Sequence, residues 1–194
     1  DAINKGLRRA RGEWVAFQNS DDIYMPGAFF KVAAAIQDNR NQADIIYGNL
    51  LHITSQDKIR DVQLTIPAGF HGHFAQMQTQ NQSLFWRRHL LDQSGYLDSD
   101  IYFSFDFEYF ARLLLQGSRV FHIDAYLGAY RHHDNTKTSL SFRQGKEYHK
   151  MIERRYGCWV ERLIPQRLRT FVFRMFKACY CVTHNEARYV FRQF

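Results

Sequence analysis

A short apolar run, Trp14-Val15-Ala16-Phe17, ends on the polar cluster Asn19-Ser20-Asp21-Asp22. A run that short and that continuously apolar reads as a strand covered on both faces. The polar cluster then falls at the C-terminal end of a buried strand. The pattern recurs downstream. Ala43 to Leu51 reads as a second buried strand, residues 58–66 as another closed by Pro67 and Gly69, and Ser83-Leu84-Phe85-Trp86 as a further one.

Helical segments separate these runs. Residues 1–10 read as the end of a helix, with Ala2, Ile3, Leu7 and Ala10 near helical spacing and Gly12 breaking it. Pro26 suits the first turn of a helix reaching about Asp38, with Phe29, Phe30, Val32, Ala33 and Ile36 facing inward. Residues 67–82 read as a loop or short helix. Arg88 to Gln93 is a helical turn stopped by Gly95, and Asp106 to Gln116 a helix capped by Gly117. Ser118–Ile123 and Tyr126–Arg131 read as two closing strands. Strands alternating with helices point to an α/β fold.

After residue 140 the pattern changes. Tyr148, Ile152, Tyr156, Trp159, Val160 and Leu163 share one helical stripe, Pro165 interrupts, and Leu168 to Val182 forms a second helix. The expected division is therefore 1–140 for an α/β body and 141–194 for a helical tail. Charge follows the same division. The chain has a net charge of +7, yet residues 151–194 hold nine Lys/Arg against three Asp/Glu, and the rest is almost neutral. A basic tail meets phosphate groups of lipid, nucleic acid or a partner, or is simply a solvated face. The near-neutral body argues against a nucleic-acid binder. Cys158, Cys179 and Cys181 have no zinc spacing and read as reduced thiols. No uninterrupted apolar stretch reaches the ~18 residues of a spanning helix, and no secretory signal opens the chain.

Three polar groupings carry chemistry. Asp21 and Asp22 repel each other as adjacent carboxylates, and a divalent cation would reverse that cost. Hard oxygen ligands on a short loop suit Mg²⁺ or Mn²⁺ held together with a diphosphate. The same residues also suit an N-cap before the helix at Pro26. Asp106, among Phe105 and Phe107 at a helix start, could serve as a general base or merely as an N-cap. Arg131-His132-His133 through Lys137 offers imidazole and cations to a diphosphate, or is an ordinary polar loop. His71 and His73 read as loop residues.

Taken in order, these pieces resemble family 2 glycosyltransferases. Asp1-Ala2-Ile3-Asn4-Lys5-Gly6-Leu7 with Ala10-Arg11-Gly12-Glu13 is similar to that family's "DAMNKGI…A.GE" segment. Phe17 to Asp22 with Pro26-Gly27-Ala28 resembles "LNSDD…PGAL", and Gln82 to Arg88 resembles "HQS.F.RR". Gly95 to Asp98 resembles "G.FDE", Asp106 to Leu113 resembles "DYE.W.RL", and Tyr130 to Thr138 resembles the closing "YR.H..S.S". The resemblance spans roughly residues 1–140. It implies a GT-A-like (Rossmann-like) mixed sheet with flanking helices, followed by the helical tail.

It also implies an inverting transfer of a sugar from a nucleotide-sugar donor to a saccharide or lipid-linked acceptor, in cell-surface polysaccharide or glycolipid synthesis. Asp21, with Asp22 beside it, would hold the metal, and Asp106 would be the base. His133 and Lys137 would close over the diphosphate, with Asn4, Asn19, Glu108 and Arg112 contacting substrate. Asn19 stands where many members carry an acid. The family's first βαβ portion precedes the "DAMNKGI" segment, so the chain is expected to lack it and to be inactive alone. The expected location is cytoplasmic, at the inner face of the plasma membrane with peripheral contact through the tail. The alternative is a catalytically incomplete module that binds a partner or membrane.

Overall fold

The computed structural model describes residues 1–38, 42–67, 80–102, 105–133 and 166–183. In chain order the elements are α1 (Ala2–Arg9), β1 (Trp14–Val15), β2 (Ile23–Tyr24), α2 (Ala28–Gln37), β3 (Ile45–Thr54) and β4 (Ile59–Gln63). A 3-10 turn (Asn81–Ser83), β5 (Leu84–Arg87), α3 (His89–Ser94), α4 (Phe105–Leu115), β6 (Val120–His132) and α5 (Gln166–Thr183) follow. The strands form one mixed sheet in the order β1-β5-β3-β6-β2, with β4 also paired to β3.

β3 is the axis of this sheet. It runs parallel to β6 from Ile45↔Val120 to Thr54↔His132. Its other edge is shared by β5 near Ile45–Tyr47 and β4 near Leu50–Ile53, both antiparallel. Because β1 is antiparallel to β5, β1, β3 and β6 point the same way, and their C-terminal ends share one edge of the sheet. Side chains alternate across the strands. Ile45, Tyr47 and Trp86 join Val15, Phe17, Tyr109, Phe110 and Leu113 under α1, α3 and α4. Ile46 and Phe85 join Ala28, Val32 and Leu127 under α2. Coverage on both faces accounts for the near-continuous apolar reading of β3.

Two expectations are corrected. α2 turns Ala28 and Val32 inward, while Phe29 and Phe30 are 59% and 83% exposed and Ala33 is also exposed. Phe29 instead lies against the Tyr24 ring at 4.8 Å. The two closing strands are one long strand, β6. Its register shifts opposite Gly48–Leu50 absorb the polar break, and Asp124 in that break accepts a hydrogen bond from Asn49 at 3.0 Å. The helix stops stand: Gly95 and Gly117 both have positive φ.

α5 docks through Cys181, fully buried against Leu64 with Val62 and Tyr126 alongside. Cys179 is exposed, and neither of these two cysteines forms a disulfide. The first tail helix, Cys158, His71, His73 and Lys137 lie outside the described residues.

Candidate active site

The loop after β1 and the end of β6 meet at the shared C-terminal edge, where open α/β sheets bind ligands. Asp22 is the anchor. It is 7% exposed. Its Oδ1 accepts the Arg131 backbone N–H at 2.8 Å, and its Oδ2 accepts Asn19 Nδ2 at 2.9 Å and Gln82 Nε2 at 2.6 Å. One buried carboxylate thus ties β6, the 3-10 turn and its own loop together. Arg131 completes the knot from the other side. Its guanidinium donates to the Asp21 carbonyl at 2.7 Å, the Thr54 carbonyl at 3.2 Å and the Asp57 carboxylate at 2.6 Å.

Locking Asp22 leaves Asp21 as the presented carboxylate. Its side chain is 39% exposed, and its Oδ2 accepts a hydrogen bond from His133 Nε2 at 2.8 Å. Residues over a hundred positions apart in the chain are brought together here by the β2–β6 pairing. Of the two acids expected to hold a cation, Asp21 is partly exposed and paired with His133, and Asp22 is engaged with three donors. Asn19, exposed, spends its amide on Asp22.

Asp106 lies in the first turn of α4, half-buried, and its Oδ1 accepts the Phe107 N–H at 2.9 Å. The adjoining Phe105 ring packs on Phe17 at 6.3 Å. Phe17 opens the loop that carries Asn19–Asp22, so the start of α4 sits beside the end of β1.

Three residues expected to touch substrate are turned inward. Asn4, buried, clamps the Leu97 backbone with both ends of its amide, at 2.8 and 3.1 Å. Glu108, 2% exposed, makes a two-point ion pair with Arg112 at 3.1 and 2.8 Å. Arg112 also holds the carbonyls of Ser94 and Tyr96. This network fastens α4 to the turn after α3.

Two features were missed in the sequence. Gln18 has both amide atoms shielded and no hydrogen-bond partner among the described residues. A shielded amide left unpaired is costly, and this one adjoins the Asn19–Asp22 loop. The second is a histidine pair. His52 Nδ1 lies 2.8 Å from His132 Nε2, and His52 Nε2 lies 2.9 Å from Gln63 Oε1. Nothing in the local sequence links residues 52 and 132; only the parallel register of β3 and β6 does.

This architecture is that of GT-A-like glycosyltransferases. Residues 1–97, half of the chain, match the family described as "Glycosyl transferase family 2", and the chain belongs to that family. Comparison with curated proteins gives no match. Among solved structures, the chain is similar to S. aureus TarS 1-349 in complex with UDP-GlcNAc, with a TM-score of 0.54 at 17% identity. That likeness covers 77% of this chain and 44% of that one. The same S. aureus TarS segment without a named ligand gives 0.53 at 16% identity, over 80% of this chain and 44% of that one. Its complex with UDP gives 0.51 at 16%, over 80% and 45%. The chain spans less than half the length of these structures, and at such identity the likeness bears on the fold.

Proposed function

We propose that this chain carries the catalytic-site half of an enzyme that moves a sugar from a nucleotide-sugar donor to an acceptor hydroxyl. The observation behind this reading is the Asp21–His133 pair at the shared strand edge. The partly exposed Asp21 carboxylate suits Mg²⁺ or Mn²⁺, which are commonly held by one or two carboxylates and completed by substrate phosphate oxygens, and His133 beside it would face the diphosphate. Among the described residues no cluster of three or more ligand-type side chains exists, so the metal reading rests on Asp21 and on the donor's diphosphate. Asp21 would hold the ion, with His133 Nε2 at 2.8 Å from the same carboxylate. When bound, it supplies positive charge to the departing nucleoside diphosphate.

Arg131 fixes the Asp21 carbonyl and Asp22 fixes the loop, so the Asp21 carboxylate needs little rearrangement to act. Asp106 accepts the proton of the acceptor hydroxyl as that oxygen attacks the anomeric carbon. The bond from that carbon to the diphosphate oxygen breaks on the opposite side, and a single displacement inverts the centre. The UDP and UDP-GlcNAc complexes of TarS make UDP-sugars the first donors to try. The reading extends to cell-surface polysaccharide or glycolipid synthesis on the cytoplasmic side of the membrane.

The test uses the full-length enzyme and two substitutions. Asp106→Asn should lower turnover about 10²–10⁴-fold and leave UDP affinity nearly unchanged. Asp21→Ala should abolish Mn²⁺-dependent UDP binding measured by calorimetry. Near wild-type turnover of Asp21→Ala in the presence of EDTA would refute the metal assignment.

A further inference from the structure

A helix packed on a water-soluble body normally turns its apolar side inward. α5 does the reverse. Lys177, 9% exposed, and Cys181, 0% exposed, face the body. Leu168, Phe171, Val172, Met175, Phe176 and Val182 face outward, each between 40% and 61% exposed. At about 100° per residue these six positions cover an arc of about 140°, on the side opposite Lys177 and Cys181.

Charge borders that arc. The helix contains Arg167, Arg169, Arg174 and Lys177 and no acidic residue. On the helical wheel, position 169 lies about 20° beyond one end of the arc, and positions 167 and 174 lie about 40° and 60° beyond the other. Arg174 is exposed.

We propose that this face seats the protein on an anionic lipid bilayer. The apolar arc enters the boundary between headgroups and acyl chains, and the exposed Arg174, on a helix with no acidic residue, meets lipid phosphates. The charge pattern selects lipid over a second copy of the chain. Two such helices apposed through the arc would bring like-charged helices together with no acid in either to offset the repulsion. With four basic residues in eighteen, α5 itself suits the surface rather than the interior of a bilayer. Sugar transfer does not enter this argument, and vesicle binding tests it without any donor.

The experiment is flotation of the full chain with vesicles of phosphatidylcholine alone and of phosphatidylcholine mixed with phosphatidylglycerol. The expected result is co-flotation with the mixed vesicles only, weakened by added salt. The double substitution Phe171→Ser, Met175→Ser should cut the bound fraction at least about tenfold, with circular dichroism confirming the fold. Arg174→Glu, an exposed change that spares the apolar arc, should lower binding several-fold on its own. Absence of flotation, equal flotation with neutral vesicles, or indifference to both variants would overturn the proposal. So would a dimer in light scattering that the double substitution dissolves while vesicles remain unbound.

Discussion

A carboxylate that accepts three hydrogen bonds from surrounding donors has little capacity left for a ligand, and Asp22 is in that position. Asp22→Asn would turn an acceptor into a donor facing Gln82 or the Arg131 amide. We expect it to cost about 1–3 kcal/mol of stability in chemical denaturation. Asp21→Asn, at a partly exposed site, should stay within about 0.5 kcal/mol of wild type. In the sequence the two acids look equivalent, because spelling names the chemistry and not the direction of the side chain. The same limit explains Asn4, Glu108 and Arg112, whose polar groups were legible and whose inward orientation was not. His132 adds a pH prediction. Burial first, then the neighbouring His52 and Arg60, hold its imidazole below the usual value, against the opposing pull of Asp22 and Asp61. Its folded pKa is therefore lower than its unfolded pKa, and the unfolded chain takes up this proton first as pH falls below about 6.5. Stability is full above that value and declines as pH drops through the folded pKa. Thermal melts from pH 7 to pH 5 should fall more steeply for wild type than for His132→Gln.

At the scale of elements, the site depends on how closely the 3-10 turn lies over β6. A Cβ added at Gly128 would sit 2.0 Å from the Gln82 carbonyl oxygen and 2.6 Å from its carbonyl carbon. Both are backbone atoms, so no rotamer change relieves the clash. That close approach is what delivers the Gln82 amide to Asp22 at 2.6 Å. Gly128→Ala should therefore push the turn outward, cost about 3 kcal/mol in denaturant titration, and weaken the seating of the Asp21 loop. The elements themselves were legible where periodicity was strong. The buried run that became β3 and the helix that became α4 matched to within a few residues. In the sequence, Tyr126–Arg131 stands apart from Ser118–Ile123, because the intervening Asp124 looks like a break. A side-chain partner on the neighbouring strand, Asn49, keeps it within β6. Phe29 and Phe30 misled in the opposite sense. Their hydrophobicity suggested an inward face, yet α2 meets the sheet through Ala28 and Val32.

On the scale of the whole molecule, the junction between α5 and the sheet is where the chain places an ionisable group at a packing surface. Burial lowers the Lys177 ammonium from its ordinary value to about 8, with Cys181 on the same helix and Asp61 in the middle of β4 pulling the other way. A folded pKa below the unfolded one means that the unfolded chain holds this proton more tightly. Below about pH 8 the lysine is charged in both states, and the folded state bears the desolvation cost. Between about 8 and 10.5 that cost is relieved as the folded form loses its proton, so stability gains from this group as pH rises through the window. Charge segregation in the tail was visible in the sequence, but which residues the helix would turn inward was not, since the docking face is chosen by the surface of β4 and β6. Lys177→Met keeps the stem that fills the space and removes the ammonium. We expect Lys177→Met to melt higher than wild type at pH 7. The two curves should converge as pH approaches 10.5, as differential scanning calorimetry at matched pH values would show. A constant offset between them across that range would mean that Lys177 is solvated in the fold, and that its stem rather than its charge decides how α5 docks.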